Sequence, residues 1–299
     1  MYEGLVAPVA LYSLLHDGVA LTKPRITLLS AGTAATGMIL AAHHASIFWD
    51  GPASLLGITM VVAAANVFNM YVEYPIDALM PRTCQRPLAA GRWEPMWAWV
   101  LGWGLLLAAA VLLTVFANFL TLCISFGALV LYLFAYTPLK QKSSFALFVG
   151  AVAGAAPPVM GYTAICGQID AIALTLFSIV FIWQIPHFLA ISVLRQQEYV
   201  QAGFVMFVQV FGRRVSKWVS LFSSVLLCAV SLLLCVAHAC GPFYAVVAIL
   251  VGVWFIFLCA KGFFCTSDTQ WAKAVFYASL VYPVSLFSAV WIDRFIHFS

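Results

Sequence analysis

The chain has 299 residues, of which 65% are hydrophobic and only 8% are charged, with a formal net charge of +4. Its mean hydropathy of +1.04 is far above that of soluble globular domains. The composition excludes a soluble enzyme and indicates a polytopic membrane protein; no nucleic-acid partner is expected.

Long apolar runs predict nine membrane-spanning helices, because about 20 helical residues cross the hydrocarbon core of a bilayer. The predicted spans are residues 25–46, 52–72, 95–115, 117–137, 144–164, 171–194, 216–237, 241–261 and 273–293. We therefore expect an all-α polytopic membrane protein. Residues 1–299 are expected to form a single membrane-embedded domain, of which residues 1–22 are a short cytoplasmic segment.

The basic residues predict the orientation, since Lys and Arg near helix ends accumulate on the cytoplasmic side. With the N-terminus inside, 13 of the 14 Lys and Arg residues lie in inner segments, and Arg294 alone lies outside. The first 22 residues contain no Lys or Arg and match neither a secretory signal nor a mitochondrial transit peptide. We expect a bacterial plasma (inner) membrane protein with a cytoplasmic N-terminus and an outer C-terminus.

The first inner connection contains an acidic motif. Asn69, Glu73 and Asp77 are spaced four residues apart, which places their oxygens on one face of a helix. Oxygen ligands of this kind suit Mg²⁺, which is commonly shared between carboxylates and substrate phosphates. Pro75 is expected to end or kink the helix near Glu73.

Arginines follow directly in the sequence. Arg82 and Arg86 are four residues apart, with Arg92 beyond Gly91, and guanidinium groups match phosphate oxygens in a bidentate way. Diphosphate is therefore their expected partner. The charge pattern alone also allows membrane anchors that bind lipid head groups and pair with the acidic residues.

Two later segments add polar residues to the same inner face. The fourth span ends at Tyr136 and Lys140, and the connection after the sixth span carries Arg195 and Glu198. Polar groups at membrane depth usually face a cavity or the protein interior. The sixth span contains three of them, namely Trp183, Gln184 and His187. Near the fifth span, Gly150 and Gly154 with Pro157 and Pro158 predict close helix packing and a break.

Five motifs in order carry a resemblance to a known family. They are LTKPRIT at 21–27, NMYVEYPIDALMPRTCQRPL at 69–88, YTPLK at 136–140, GAVAGAAPPVMGY at 150–162 and WQIPHF at 183–188. The chain resembles the protohaem IX farnesyltransferases, or haem O synthases, a branch of the UbiA-type intramembrane prenyltransferases. The resemblance covers about residues 21–203. It implies nine helices in a bundle around a central cavity that opens to the cytoplasmic face.

The resemblance also implies site residues. Asn69, Glu73 and Asp77 match the first metal and diphosphate motif, with Arg82 and Arg86 as basic partners, and Glu198 matches the surviving acid of a second motif. Met70 and Ala202 stand where the wider family often has acidic residues, which leaves the number of Mg²⁺ ions open. Lys140 is expected to join the catalytic groups. The expected substrate-binding residues are Arg82, Arg86, Tyr136, Lys140, Trp183, Gln184, His187 and Arg195.

The implied reaction is Mg²⁺-dependent transfer of a farnesyl group from farnesyl diphosphate to a vinyl group of haem B, with water addition. For His187, axial ligation of haem, proton handling or substrate orientation, and a structural role all stay open. A downstream haem A synthase is a possible physical partner. Two other functions stay open: an intramembrane prenyltransferase with a quinone-precursor or chlorin acceptor, and a membrane carrier for anionic or haem-like solutes.

Overall fold

The computed structural model describes residues 6–42 and 50–298, and every regular element in these two stretches is a helix. The end of the first predicted span, residues 43–46, lies outside the described residues. The helices are α1 (Val6–Leu21), α2 (Pro24–Ala41), α3 (Asp50–Asp77), α4 (Pro95–Phe116), α5 (Phe119–Val130), α6 (Thr137–Leu139), α7 (Ala146–Gly154), α8 (Ala156–Cys166), α9 (Ala171–Leu194), α10 (Gln196–Gln201), α11 (Phe207–Ser231), α12 (Leu233–Val236), α13 (Pro242–Lys261) and α14 (Asp268–Phe298).

The predicted all-α membrane fold is confirmed. Within the described residues, eight helical segments are long and apolar enough to cross a membrane, and they match the second to ninth predicted spans. The segments are Asp50–Asp77, Pro95–Phe116, Phe119–Leu139, Ala146–Cys166, Ala171–Leu194, Phe207–Val236, Pro242–Lys261 and Asp268–Ile296. The 18-residue helix α2 occupies the position of the first predicted span, so the nine-helix count agrees approximately with the structure.

The local structure differs from the sequence prediction at Pro75. The helix α3 neither ends nor breaks near Glu73 but continues to Asp77, with Pro75 inside its last turn. A proline this close to the C-terminal end removes one backbone donor but leaves the following residues free to keep helical angles. Because α3 extends to Asp77, the motif that starts at Asn69 stays on one helix.

Three spans are interrupted, and the one over residues 207–236 is broken between α11 and α12. A π-helical segment, Leu131–Tyr136, lies between α5 and α6, where the sequence pattern predicts an unbroken span. The break between α7 and α8 falls at Ala155, and Pro157 and Pro158 follow in the first turn of α8. Proline is tolerated in a first helical turn, where its missing N–H has no intrahelical partner. The predicted break in this span is therefore confirmed.

Helices α2 and α8 pack backbone against backbone through two glycines. A Cβ atom on Gly161 would overlap the carbonyl oxygen of Ala34, and one on Gly37 would overlap that of Pro158.

We expect Gly161→Ala to destabilise the protein by about 1–3 kcal/mol through overpacking, measured as a lower thermal unfolding midpoint in detergent. Gly104→Ala is the control, because a Cβ there meets no atom within 4 Å; an unchanged midpoint for Gly161→Ala would contradict the close approach.

The N-terminal helix α1 is fixed to the connection after α3. The guanidinium of Arg92 donates to Asp17 through Nε at 2.7 Å and through Nη2 at 3.1 Å. The hydrogen bond from Arg92 lowers the pKa of the Asp17 carboxyl below its usual value, so the pair is charged at neutral pH. In the structure Arg92 therefore pairs with Asp17, and its diphosphate contact stays a prediction.

Candidate active site

A polar cavity of about 230 Å³ lies where α3 ends and α2 begins. Its wall also includes the π-helical segment, the residues after α6, and the connection between α10 and α11. Many of the residues that line it have charged, hydroxyl or amide side chains. They are Lys23, Asn69, Glu73, Asp77, Arg82, Thr83, Arg86, Tyr132, Tyr136, Lys140, Ser144, Ser192 and Tyr199.

The C-terminal part of α3 contributes the acidic side of this cavity. Asn69, Glu73 and Asp77 line it together and are buried, with exposed fractions of 1%, 7% and 2%. Their four-residue spacing on an uninterrupted helix brings them to one face. Buried carboxylates are costly unless they are paired, so their partners decide what the cavity can bind.

Each of these three side chains is paired with one cation. Lys23 Nζ donates to Asn69 Oδ1 at 2.7 Å, and Lys140 Nζ donates to Glu73 Oε1 at 2.7 Å. Arg86 Nη1 donates to both carboxylate oxygens of Asp77, at 2.8 and 2.7 Å. The cavity thus has acidic and basic groups in contact, so it presents oxygen atoms suited to a cation and donors suited to phosphate oxygens.

The remaining arginine and the turn after α3 complete the polar wall. Arg82 Nη2 lies 3.4 Å from the hydroxyl of Tyr199 on α10. The Thr83 hydroxyl donates to the main-chain carbonyl of Asp77 at 2.9 Å, which fixes the turn that follows the acidic motif. This turn brings Arg86 back over Asp77.

Six polar lining residues were not among the predicted site residues, namely Lys23, Thr83, Tyr132, Ser144, Ser192 and Tyr199. Lys23 precedes α2 in a left-handed conformation, with φ 49°, and Tyr132 and Tyr199 line the cavity from the π-helical segment and from α10. A left-handed conformation is unfavourable for lysine and persists only where its surroundings fix it. The position of Lys23 directly before Pro24, in the LTKPRIT motif, was the available sequence signal.

An apolar cavity of about 360 Å³ adjoins the polar one. Tyr132, Tyr136 and Phe188 line both cavities, so these three side chains form the boundary between them. Three predicted substrate-binding residues, Trp183, Gln184 and His187, line the apolar cavity from α9. The two cavities together offer a charged compartment beside a hydrocarbon-like compartment.

The structure separates two predicted site residues from this group. Arg195 Nη1 donates to Glu198 Oε1 at 2.7 Å across the junction of α9 and α10, and neither residue lines the two cavities. Tyr199, the next residue, does line the polar cavity. The metal role predicted for Glu198 and the substrate role predicted for Arg195 stay predictions.

Comparison with known proteins agrees with this architecture. A protoheme IX farnesyltransferase from Myxococcus xanthus is 41% identical over 287 residues, covering 95% of this chain and 97% of the relative. A solved structure concerning digeranylgeranylglyceryl phosphate synthase superposes with a TM-score of 0.79 at 16% identity, over 94% of this chain and 98% of that one.

A third comparison is with a UbiA homologue from Archaeoglobus fulgidus solved with DMAPP and Mg²⁺, which gives a TM-score of 0.69 at 15% identity over 92% of this chain and 99% of that chain. At such low identities these structures support the fold alone. The model of the UbiA prenyltransferase family matches residues 30–281. The chain therefore belongs to the UbiA prenyltransferase family.

Proposed function

We propose that this enzyme transfers the farnesyl group of farnesyl diphosphate to a vinyl group of haem B, with addition of water, to give haem O and diphosphate. The observation that carries the proposal is the polar cavity, in which three buried oxygen-bearing side chains contact cations beside an apolar compartment. Similarity over nearly the full chain to protoheme IX farnesyltransferases supports haem as the acceptor.

Asn69, Glu73 and Asp77 are the residues that would bind Mg²⁺. They supply oxygen atoms from one buried helix face, and each accepts from a cation in the structure, so positive charge is favoured there. Two carboxylates and one amide leave room for water and phosphate oxygens, the ligand set that Mg²⁺ prefers. When bound, the ion would supply charge neutralisation for the diphosphate oxygens. The number of ions stays open.

The cations around this face would bind the diphosphate. Lys140, Arg86 and Arg82 line one cavity with Lys23, and their donors are fixed by contacts with Glu73, Asp77 and Tyr199. Donors fixed in advance stabilise charge that develops on a leaving group without having to reorganise. These four residues are therefore proposed to stabilise the departing diphosphate.

The reaction breaks the bond between the allylic carbon and the diphosphate oxygen, and the electron pair leaves with diphosphate. The π electrons of the haem vinyl group form the new carbon–carbon bond, and water adds to the resulting porphyrin-side cation and loses a proton. The apolar lining around Trp183 and Phe188 would limit access of bulk water to the allylic cation. Water must then reach only the cation on the porphyrin side.

Replacement of Arg86 tests the diphosphate contact. We expect Arg86→Ala to raise the KM for farnesyl diphosphate by about 10-fold or more, because a charge-assisted hydrogen bond contributes about 1.5–3 kcal/mol. The matched control is Arg25→Ala, since Arg25 is exposed at the same predicted inner end and lines neither cavity. An unchanged KM in the Arg86 variant would support the alternative of a membrane anchor.

Release of diphosphate separates the proposed reaction from the alternatives. Protein in lipid vesicles with farnesyl diphosphate, haem B and Mg²⁺ is expected to release diphosphate, and EDTA should stop the release. A carrier would release none. Release that is stimulated by an aromatic quinone precursor or a chlorin, but not by haem B, would assign the protein to another prenyltransferase reaction.

The cellular setting follows from the charge distribution. We propose a single prenyltransferase domain in the bacterial plasma (inner) membrane, with the N-terminus in the cytoplasm and the C-terminus outside. Lys23, Arg86 and Lys140 all line the polar cavity, which agrees with a cytoplasmic position for that end. Haem A synthase is proposed as the partner that receives haem O, and co-purification of the two proteins from membranes tests the contact.

A further inference from the structure

His187 lies in the wall of the apolar cavity and is hydrogen-bonded to the buried Ser279. His187 belongs to α9 and lines the cavity, whereas Ser279 belongs to α14. The distance between His187 Nδ1 and Ser279 Oγ is 2.8 Å. This hydrogen bond therefore connects α9 to α14 at the point where the His187 imidazole lines the apolar cavity.

The direction of this hydrogen bond follows from a second contact of Ser279. The Ser279 hydroxyl donates to the carbonyl oxygen of Phe276 at 2.6 Å. A hydroxyl has one proton to donate, so Ser279 Oγ is left to accept a hydrogen bond from His187. The neutral imidazole then carries its proton on Nδ1 and has its lone pair on Nε2.

Aromatic contacts fix the plane of the imidazole. His187 stacks on Trp183 with ring centroids 5.2 Å apart, and on Phe276 with centroids 5.3 Å apart. The indole Nε1 of Trp183 donates to the carbonyl oxygen of Ser279 at 2.5 Å. This hydrogen bond connects the Trp183 ring to α14, the helix that carries Ser279 and Phe276. Within the part of the chain that the structure describes, His187 Nε2 makes no hydrogen bond.

We propose that Ser279 is a positioning residue that keeps His187 in the Nδ1–H tautomer, so that Nε2 binds the iron of haem B as an axial ligand. A neutral imidazole whose other nitrogen donates to a fixed acceptor is the usual form of a metal-binding histidine. The proposal rests on the proposed function for the identity of the acceptor.

The position of His187 agrees with the reaction. Phe188, the next residue, lines both the apolar and the polar cavity. A haem bound through its iron at His187 would therefore lie beside the compartment proposed for the diphosphate. Axial ligation would select iron porphyrins and keep the macrocycle in one position while a vinyl group reacts.

Haem binding by the full-length protein in lipid nanodiscs tests this assignment. The probe is haem B with both vinyl groups reduced to ethyl groups, because it keeps the iron but cannot accept a farnesyl group. We expect absorption and electron paramagnetic resonance spectra of imidazole-ligated iron. The His187→Ala variant should lose this signature and regain it with added imidazole, and His238→Ala, an exposed histidine elsewhere, should keep it.

The Ser279 variants separate positioning from packing. Loss of an outer hydrogen bond to a metal-binding histidine typically weakens metal binding by about 10–100-fold, so Ser279→Ala should weaken probe binding by at least about 10-fold. Ser279→Thr keeps the hydroxyl and should restore it. In the haem-free protein, ¹⁵N spectra of labelled histidine should report a protonated Nδ1 for His187 and a shift toward the other tautomer in Ser279→Ala.

The proposal is overturned if His187→Ala has the wild-type spectrum, or if Ser279→Ala binds the probe with unchanged affinity and leaves the ¹⁵N signals of His187 unchanged. Formation of haem O by a protein whose haem spectrum does not depend on His187 would overturn this inference and leave the proposed function intact. Imidazole-ligated haem without any haem O would support this inference and contradict the proposed function.

Discussion

Replacing Asp77 with asparagine is expected to lower the rate of haem O formation by about 100-fold or more, the scale of loss seen when a preorganised electrostatic group is removed from an active site. Asp77 is buried at the end of α3 and accepts from Arg86. Asparagine keeps the size but removes the charge, so Arg86 and the metal ion proposed to bind here would both lose a charged partner. The rate is measured with saturating farnesyl diphosphate and Mg²⁺.

The control for this variant lies on the same helix. Asp50 is exposed at the opposite end of α3, and Asp50→Asn should keep the wild-type rate. Size-exclusion profiles and thermal unfolding midpoints of both variants separate lost catalysis from lost folding. A folded Asp77→Asn protein with normal turnover would remove Asp77 from the proposed metal site.

The second large effect is expected at Lys140. Its ammonium donates to Glu73 at 2.7 Å and lies 4.4 Å from the centre of the Tyr136 ring. We expect Lys140→Ala to lower kcat by about 10–100-fold, because the proposed diphosphate leaving group would lose one cation and Glu73 loses its partner. Single-turnover measurements with bound farnesyl diphosphate isolate this step from substrate binding.

Lys142 provides a matched comparison two residues away. It is exposed and lines neither cavity, so Lys142→Ala should retain the wild-type kcat while it removes the same charge from the same end of the molecule. Equal losses in the two lysine variants would mean that overall positive charge, and not the contact with Glu73, accounts for the effect.

The sequence predicted the fold class and the acidic face because both depend on local periodicity. Apolar runs of span length identify helices, and the four-residue spacing of Asn69, Glu73 and Asp77 requires only that α3 continues to Asp77. The expected end of the helix near Glu73 was wrong, since α3 continues to Asp77, because a proline in a last helical turn removes a single hydrogen bond.

Local sequence patterns could not predict contacts between segments that are far apart in the sequence. Lys23 and Asn69 are 46 residues apart in sequence, and their hydrogen bond depends on how α2 packs beside α3. The pair of His187 and Ser279, 92 residues apart, likewise arises only when α9 meets α14. The structure also pairs Arg92 with Asp17, which charge pattern alone could not distinguish from a phosphate contact.

The central claim is tested most directly by mass spectrometry of haems extracted after incubation of the protein in membranes with haem B, farnesyl diphosphate and Mg²⁺. Parallel samples contain EDTA or the Asp77→Asn variant. We expect haem O in the complete sample, none with EDTA, and about 100-fold less or lower in the Asp77→Asn sample. Haem B alone in every sample, despite release of diphosphate, would contradict haem as the acceptor.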